Sequence, residues 1–360
     1  MSGEVGERGA RLEAPDPLSG TAYETIGRLG KGGMGVVLEA RHRRHGARVV
    51  VKILHAHLAG HDDLIDRMHL EARALAALAP HPNIVAILDG GKTEDGRPFL
   101  VLERLEGRTL DAERRLRGRL LPAEAIDFVV QALAALEAVH AAGLVHRDVK
   151  PANLFACDAP TGQRRALKLL DFGVAKLCGG GAASPISARA SVTEEHALVG
   201  TPAYVAPEQA VGGAVDARTD LYAMGVVLFQ LLAGRAPFEH HESPRDVLHA
   251  HLLEEPRPPS VIVGPSVPPA LDRVVLRALA KRPADRFQDA SSFAAELRRI
   301  ARDLDRPARA EETRSDVPIV AQPALRSPRE PRHWLLAFAA VWLLSLLATV
   351  GAGMVREVLR

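Results

Sequence analysis

A glycine-rich stretch near the N-terminus could bind phosphate groups. Residues 30–37 read GKGGMGVV and fit the pattern G-x-G-x-x-G-x-V, with Gly30, Gly32 and Gly35 at the glycine positions. Glycine allows a tight turn in which backbone N–H groups approach phosphate oxygens with no Cβ in the way. An ordinary glycine-rich hairpin would read the same, so the pattern alone is a weak signal. A dinucleotide-binding site is disfavoured, because strand-like residues rather than a helix follow the glycines.

A lysine further along the chain could hold the same phosphates. Lys52 ends the apolar run VVVK, where a lysine is more often simply the solvated end of a strand. The segment from Leu64 to Leu78 is predicted to be helical, and Glu71 on it could reach Lys52 as an ion-pair partner. Such a pair would hold an ammonium group against the phosphates of a nucleotide.

Three further motifs make the chain resemble a known family. Residues 146–153 read HRDVKPAN, residues 171–173 read DFG, and residues 206–208 read APE. With the glycine-rich stretch and the VxxK lysine, they stand in the order and spacing of the eukaryotic-like (bacterial Hanks-type) serine/threonine protein kinases, which the chain resembles from about Tyr23 to Ile300. The resemblance implies an α+β, two-lobe protein kinase fold with a β-rich N-terminal lobe and a helical C-terminal lobe. It also implies transfer of the ATP γ-phosphate to serine and threonine hydroxyls of proteins.

The resemblance assigns a role to each residue of these motifs. Asp148 would accept or orient the proton of the substrate hydroxyl, Lys150 would neutralise the γ-phosphate, and Lys52 would contact the α- and β-phosphates. Asn153 and Asp171 would hold Mg²⁺, with Mn²⁺ as an alternative. Lys150 is typical of serine/threonine kinases, since tyrosine kinases typically lack a lysine there. A pseudokinase, a scaffold of the same fold that transfers no phosphate, would lack at least one of these groups, and none is missing.

The resemblance also implies an adenine pocket between the lobes. Val50 stands where the family usually has alanine, and its larger side chain should press on the adenine ring and weaken nucleotide binding. Leu102 is the expected gatekeeper, and residues 103–105 are the expected hinge. The nucleotide-binding residues implied by the resemblance are Leu29, Gly30, Gly32, Gly35, Val37, Val50, Lys52, Glu103, Leu105 and Phe155.

Other matching residues support geometry rather than chemistry. Glu208 of the APE motif should pair with Arg286, and Asp220 should anchor the catalytic loop, residues 146–153, from beneath. Thr201, in GTPAY before the APE motif, stands where serine/threonine kinases place a threonine that bridges to the catalytic loop.

Regulation is predicted in the segment between the DFG and APE motifs. Arg147 immediately precedes Asp148, and kinases with that arginine commonly need an activation-loop phosphate to neutralise it. The candidate phosphorylation sites are Thr193 and Ser191, and a homodimer for autophosphorylation is an expected partner. We hypothesise that Glu195 supplies a fixed negative charge where a second phosphate would otherwise sit; the alternative is a solvated loop glutamate.

The elements that must position these residues follow from hydrophobic patterning. Short runs of β-forming residues predict strands, and apolar positions three and four residues apart predict a long helix. Strands with one helix, followed mainly by helices, are typical of a two-lobe α+β arrangement rather than of alternating βαβ units. The predicted strands are Tyr23–Leu29, Val36–Arg41, Arg48–Leu54, Ile84–Leu88 and Phe99–Leu102, and the long helix is Ala123–Ala141.

Composition limits the classes of partner. The chain of 360 residues has a formal charge of +2 and an aromatic content of 4%, which disfavour nucleic-acid binding. Its two cysteines form no metal spacing and no disulfide framework, as in a cytosolic protein. The histidines near residues 55–61 and 240–251 are predicted to be solvated, because no acidic or cysteine partner in the sequence completes a metal site.

The C-terminal region departs from these averages. Residues 334–355 carry no charged side chain, and such a helix is long enough to cross a hydrocarbon core of about 30 Å. We therefore expect a flexible leader (1–20), a kinase domain (21–300), a Pro/Arg-rich juxtamembrane linker (301–333), one transmembrane helix (334–355) in contact with the lipid bilayer, and a short tail (356–360). More arginines precede this helix than follow it, so the kinase domain should be cytoplasmic and the C-terminus outside. A bacterial inner membrane is the predicted location. The alternatives are a buried core helix and an apolar tail that packs on the kinase domain or drives dimerisation.

Overall fold

The computed structural model of this chain describes residues 16–31, 35–56, 78, 81–170 and 202–304. The chain divides into two units, Met1–Pro307 and Ala308–Arg360, and every described residue belongs to the first. Within the described ranges, no helix is long and apolar enough to span a bilayer. The predicted transmembrane segment 334–355 lies outside those ranges.

An antiparallel sheet forms the N-terminal lobe. Its described strands lie in the order β1-β2-β3-β5-β4, and every neighbouring pair is antiparallel. Alternate residues of β3 point to opposite faces, so that Val49, Val51 and Ile53 enter the core of the lobe while Val50 and Lys52 share the other face. The strands are β1 (Tyr23–Lys31), β2 (Gly35–His42), β3 (Arg48–Leu54), β4 (Ile87–Lys92) and β5 (Pro98–Glu103).

The residues just before β1 are part of the folded lobe. Leu18 is fully buried in the core of the sheet. The Asp16 carboxylate accepts hydrogen bonds from the Leu18 N–H at 3.0 Å and from the Thr25 hydroxyl at 2.5 Å. The folded lobe therefore includes the last residues of segment 1–20, which was predicted to be a flexible leader.

The fourth strand begins later than the sequence predicts. The apolar run from Ile84 to Leu88 was expected to be a strand, but β4 starts at Ile87. Ile84 instead makes an isolated parallel bridge with Leu169, and the Val85 N–H donates to the Leu169 carbonyl at 3.0 Å. These residues are apolar because they are buried where the two lobes join.

Helices make up most of the C-terminal lobe. The long α2 matches the predicted helix to within one residue, and the core lies mainly between α2, α4, α7 and α8. A small sheet of β6, β7 and β8 flanks the catalytic loop. The helices are α1 (Leu110–Arg117), α2 (Pro122–Ala141), α3 (Pro207–Ala210), α4 (Ala217–Ala233), α5 (Pro244–Leu253), α6 (Pro259–Val263), α7 (Pro269–Ala278) and α8 (Ala290–Leu304), and the strands are β6 (Gly107–Thr109), β7 (Leu154–Cys157) and β8 (Leu167–Leu169).

The central helix α4 is buried on nearly every side. Most of its side chains are inaccessible to solvent, and its N-terminus is capped by the Asp216 carboxylate, which accepts from the Arg218 N–H at 2.8 Å. A Cβ on Gly225 would lie 2.7 Å from the Ala278 Cβ on α7. Glycine at this position therefore allows α4 and α7 to approach closely.

Candidate active site

The loop from His146 to Asn153 is held by one buried carboxylate. The two oxygens of Asp220, on α4, accept the backbone N–H groups of His146 and Arg147, both at 2.8 Å. The Nε2 of His140, at the end of α2, lies 2.8 Å from the same carboxylate. Asp220 is almost fully buried, and it lies beneath the loop, as the sequence predicted.

The loop contains one strained residue. Arg147 has a φ of 63°, in the left-handed region that non-glycine residues rarely adopt. Such a conformation costs about 1–3 kcal/mol and persists only where neighbours over-determine it. The hydrogen bonds from the Arg147 N–H to Asp220 and from Gln209 to the Arg147 carbonyl, at 3.3 Å, supply that restraint. The strained turn sets the direction of the next residue, Asp148.

Three polar side chains meet beyond this turn. The Lys150 Nζ donates to the Asp148 Oδ2 at 2.7 Å, and the Asn153 Nδ2 donates to the same oxygen at 3.1 Å and to the Asp148 carbonyl at 2.8 Å. Asp148 and Lys150 are partly exposed, whereas Asn153 is buried. The Asp148 carboxylate is thus oriented from two sides and remains accessible to a reactant.

A cavity of about 620 Å³ opens beside this loop. Its upper wall contains Val50 and Lys52, which share one face of β3, and Val37 of β2 pairs with Lys52 across the strands. Its lower wall contains Ala152 and Phe155 of the C-terminal lobe. The predicted nucleotide-binding residues that line it are Leu29, Gly30, Val37, Val50, Lys52, Glu103, Leu105 and Phe155.

The glycines of the phosphate-binding pattern have different roles. A Cβ on Gly30 would meet no atom of the described residues within 4 Å, and Gly30 lines the cavity. A Cβ on Gly35 would lie 2.1 Å from the Ile53 carbonyl. Gly35 does not line the cavity, and the close approach of β2 to β3 is what requires glycine at this position.

Some predicted residues lie outside the described part of the chain. They are Gly32 of the glycine-rich stretch, Glu71, Asp171, the activation-loop candidates Ser191 and Thr193, and Thr201. Their roles remain predictions.

The cavity also contains residues that the motifs do not mark. Lys31, Val85, Thr109, Ala152 and Leu170 are such residues, and Leu102, the expected gatekeeper, completes the lining. Leu170 directly precedes the DFG motif, and its N–H donates to the Asn153 carbonyl at 2.8 Å. Val85 belongs to the apolar run that was expected to be a strand. Its apolar side chain is the signal in the sequence, but only the structure shows that it lies where the two lobes join.

A family model described as protein kinase domain matches residues 23–295. The chain belongs to the protein kinase family. The match covers both lobes and both walls of the cavity, so the geometry described above is that of a kinase.

Curated relatives and solved structures resemble this kinase closely. The serine/threonine-protein kinase Pkn1 of Myxococcus xanthus is 45% identical over 78% of this chain and 39% of its own length. The serine/threonine-protein kinase PknB of Mycolicibacterium smegmatis is 37% identical over 96% of this chain and 56% of its own. The chain thus spans well under two thirds of the length of these relatives. The crystal structure of a double mutant of the Mycobacterium tuberculosis PknI kinase domain is 27% identical, with a TM-score of 0.60, over 81% of this chain and all of that one.

The APE glutamate of this kinase is part of a saturated ion pair. The Arg286 guanidinium is fully buried and donates to both Glu208 oxygens at 2.8 Å. Its remaining N–H groups donate to the carbonyls of Ala280, Arg218 and Lys281, so that all five donors are used. Burial raises the pKa of the Glu208 carboxyl, but hydrogen bonds from Arg286 and from Thr219 outweigh it and hold that pKa below its usual value. The pair predicted from the sequence is therefore formed.

The site residues fit ATP and a hard cation. The cavity has room for a nucleotide between apolar walls, with the Lys52 side chain on one wall. Both amide protons of Asn153 are used on Asp148, which leaves its Oδ1 as the atom that can face a cation. Amide and carboxylate oxygens are the ligands that Mg²⁺ prefers. The second predicted ligand, Asp171, lies outside the described residues.

A second cavity of about 580 Å³ lies on the other side of the catalytic loop. It is lined by Lys150 of that loop, by Tyr204 before the APE motif, and by Phe238 and His251 of the C-terminal lobe. Ala152 borders this cavity and the first one. The loop that carries Asp148 therefore separates two spaces that each have room for a reactant.

Proposed function

We propose that this chain is a serine/threonine protein kinase that transfers the γ-phosphate of ATP to hydroxyl groups of protein substrates. The observation that carries the proposal is the position of the catalytic loop, which borders both cavities and holds the Asp148 carboxylate on Lys150 and Asn153. Lys150 and the names of the curated relatives support serine and threonine as the acceptors.

Each reacting group has a place in this arrangement. ATP would occupy the cavity that contains Lys52, and the substrate side chain would enter the second cavity. The substrate oxygen forms a bond to the γ-phosphorus while the bond to the bridging oxygen of ADP breaks, and the hydroxyl proton goes to the Asp148 carboxylate. Lys150, 2.7 Å from Asp148, stabilises the charge that develops on the γ-oxygens. Mg²⁺ held by Asn153 and Asp171 would neutralise phosphate charge.

Incubation with labelled ATP and a generic protein substrate tests this function. Asp148→Asn should abolish incorporation of label, and phosphoamino-acid analysis of the wild-type product should yield phosphoserine and phosphothreonine. Asp158→Asn, which changes an exposed aspartate near the end of β7, should leave the rate unchanged. Equal incorporation by wild type and Asp148→Asn would reject the mechanism, and no incorporation by the wild type would favour a pseudokinase.

The proposal includes regulation by autophosphorylation within a homodimer. Thr193 or Ser191 would receive the phosphate, and Arg147 next to Asp148 is the feature that suggests the requirement. After phosphatase treatment and incubation with ATP, Thr193→Ala should not regain activity if Thr193 is the acceptor, and Ser191→Ala should not if Ser191 is. Glu195→Gln should regain less activity than the wild type. Unchanged rates in Thr193→Ala and Glu195→Gln would refute the fixed-charge hypothesis for Glu195.

The proposal also includes a membrane anchor. Residues 334–355 would cross a bacterial inner membrane, with the kinase domain in the cytoplasm on the linker 301–333 and the tail 356–360 outside. The uncharged sequence of the segment and the arginines before it support this placement. The full chain should sediment with membranes after a high-salt wash and be released by detergent. Recovery in the high-salt soluble fraction would favour an apolar tail that packs on the kinase itself.

A further inference from the structure

A cluster of two histidines and a glutamate lies on the C-terminal lobe, apart from the catalytic loop. The Nε2 of His240 lies 3.4 Å from the Oε1 of Glu254, and the Nε2 of His241 lies 2.8 Å from the Oε2 of the same side chain. All three candidate ligand atoms lie within 4.8 Å of one another. One carboxylate is thus shared between two imidazoles, and Glu254 supplies the acidic partner that the sequence did not reveal.

We propose that His240, His241 and Glu254 bind a divalent transition-metal ion of the zinc class. Zinc–nitrogen and zinc–oxygen bonds of about 2.0–2.2 Å in a tetrahedron place ligand atoms about 3.4 Å apart. The His240 Nε2 already lies 3.4 Å from the Glu254 Oε1. The His241 Nε2 lies 2.8 Å from the other oxygen, Oε2, and this pair would have to lengthen by roughly 0.6 Å. Two imidazoles and one carboxylate are a known zinc ligand set that leaves the fourth position to water. Mg²⁺ prefers oxygen ligands, so the ion that accompanies ATP would not compete.

The backbone holds these ligands close together before any ion arrives. Glu254 follows α5 directly as its C-cap, and its N–H donates to the Ala250 carbonyl at 2.9 Å. The turn that carries the histidines is fixed by the His241 N–H, which donates to the Phe238 carbonyl at 3.2 Å, and by Glu239, whose carboxylate accepts from the Ala236 N–H at 2.7 Å. Little conformational entropy therefore opposes binding.

The local charge favours a cation on balance. The cluster lies at the C-terminal end of α5, where the helix dipole favours positive charge. The Glu254 carboxylate faces both imidazoles at hydrogen-bond to ion-pair distance. The opposing group is Lys281, whose Nζ donates to the last carbonyls of α5 at Ala250 and His251.

The site adjoins the second cavity. His241 lines that cavity together with Lys150 of the catalytic loop. A bound ion would therefore fix one wall of the space beside the catalytic loop by joining the turn at 240–241 to the end of α5.

Metal titration of the full chain tests the proposal without any assay of phosphate transfer. The protein, purified in mild detergent and stripped with a chelator, is titrated with Zn²⁺ by calorimetry and with Co²⁺ by visible absorption, which reports tetrahedral coordination. We expect one site whose affinity falls in His240→Ala, His241→Ala and Glu254→Gln. Loss of even an outer-shell partner costs a zinc site about 10- to 100-fold, so each ligand variant should lose at least about tenfold.

Two control variants isolate the cluster from the other groups in the chain. His249→Ala changes an exposed histidine on the adjacent α5 and accounts for background binding among the 15 histidines. Asp148→Asn removes the catalytic carboxylate, and metal affinity should be unchanged in both controls. His240 is about half exposed, so its variant should fold normally, which thermal unfolding in chelator verifies. No binding by the wild type, or equal affinity in the wild type and the three ligand variants, would overturn the proposal.

Discussion

One carboxylate and one strained turn position the predicted catalytic residues of the loop from His146 to Asn153. Asp220 orients the backbone of the catalytic loop, and the strained Arg147 turn directs Asp148 towards Lys150. Neither contact involves a substrate atom, so the loop is arranged before any reactant binds. Such preorganisation is what electrostatic catalysis of phosphate transfer requires.

Val50 provides a test at the scale of one residue. It lines the nucleotide cavity on the same face of β3 as Lys52, and its two methyl groups should crowd the adenine ring. Val50→Ala should lower the KM for ATP by about tenfold, the effect of a methylene-sized change in an apolar pocket, and leave kcat unchanged because no reacting group is altered. Steady-state kinetics at varied ATP measures both. A higher KM would show that Val50 attracts the ring rather than crowds it.

Local sequence could not reveal which histidines are buried. His251 is fully buried against Tyr222 and Phe238, whereas the sequence predicted a solvated side chain. His241 meets Glu254, 13 residues later. The contacts of both histidines depend on how a helix and a turn pack together in the folded chain, and sequence spacing alone does not predict that packing. By contrast, the arrangement of Asp148, Lys150 and Asn153 could be anticipated, because these residues belong to one short, continuous motif.

At the scale of elements, the sequence predicted which segments form strands and helices more accurately than the residues at which they begin and end. The alternation in β3 identifies a strand with one face in the core. The spacing of apolar residues identifies α2, although its middle is buried on every side. The run from Ile84 to Leu88 misled because residues buried at the joint between lobes are as apolar as a strand. Leu18 precedes any periodic pattern, so only the packed structure shows that it belongs to the core.

The contact between α4 and α7 can be tested with one methyl group. Gly225→Ala forces a Cβ to within 2.7 Å of the Ala278 Cβ, and overpacking of this kind costs about 1–3 kcal/mol. The higher helix propensity of alanine returns up to about 1 kcal/mol. We therefore expect a net loss in the free energy of unfolding, measured with urea. In the control Gly27→Ala the added methyl meets no atom within 4 Å, and equal stability of the two variants would contradict the close approach.

At the scale of the whole molecule, the two lobes depend on each other for a complete site. Lys52 comes from the sheet and Asp148 from the helical lobe. Residues of both lobes line the cavity that contains Lys52. The cores of the two lobes are separate clusters. The active site therefore forms where two independently packed lobes meet.

The buried His251 should make the whole domain sensitive to acid. Burial, with a contribution from Lys281, lowers the pKa of His251 to about 4, from an ordinary value of 6.5. Between pH 6.5 and 4 the unfolded chain binds a proton there and the native chain does not, so stability falls as the pH falls, by about 3 kcal/mol. His251→Asn, whose Oδ1 can take the place of Nδ1 as the acceptor for the Tyr222 hydroxyl, should lose less stability over that interval. The free energy of unfolding is measured with urea from pH 7 to 4.5, and an equal loss in wild type and variant would contradict this assignment.

The tie between the lobes at Glu103 determines how the cleft can open. The Glu103 carboxylate accepts the Ala86 N–H and the Lys168 ammonium, both at 2.8 Å, and so joins the end of β5 to β8. If the lobes rotate about this contact, the displacement of each residue grows with its distance from Glu103. An adenine ring bound at the hinge would hardly move during such a swing, whereas the phosphate end near Gly30 would travel furthest. In the proposed reaction, the adenine ring would then stay bound while the phosphate to be transferred is realigned.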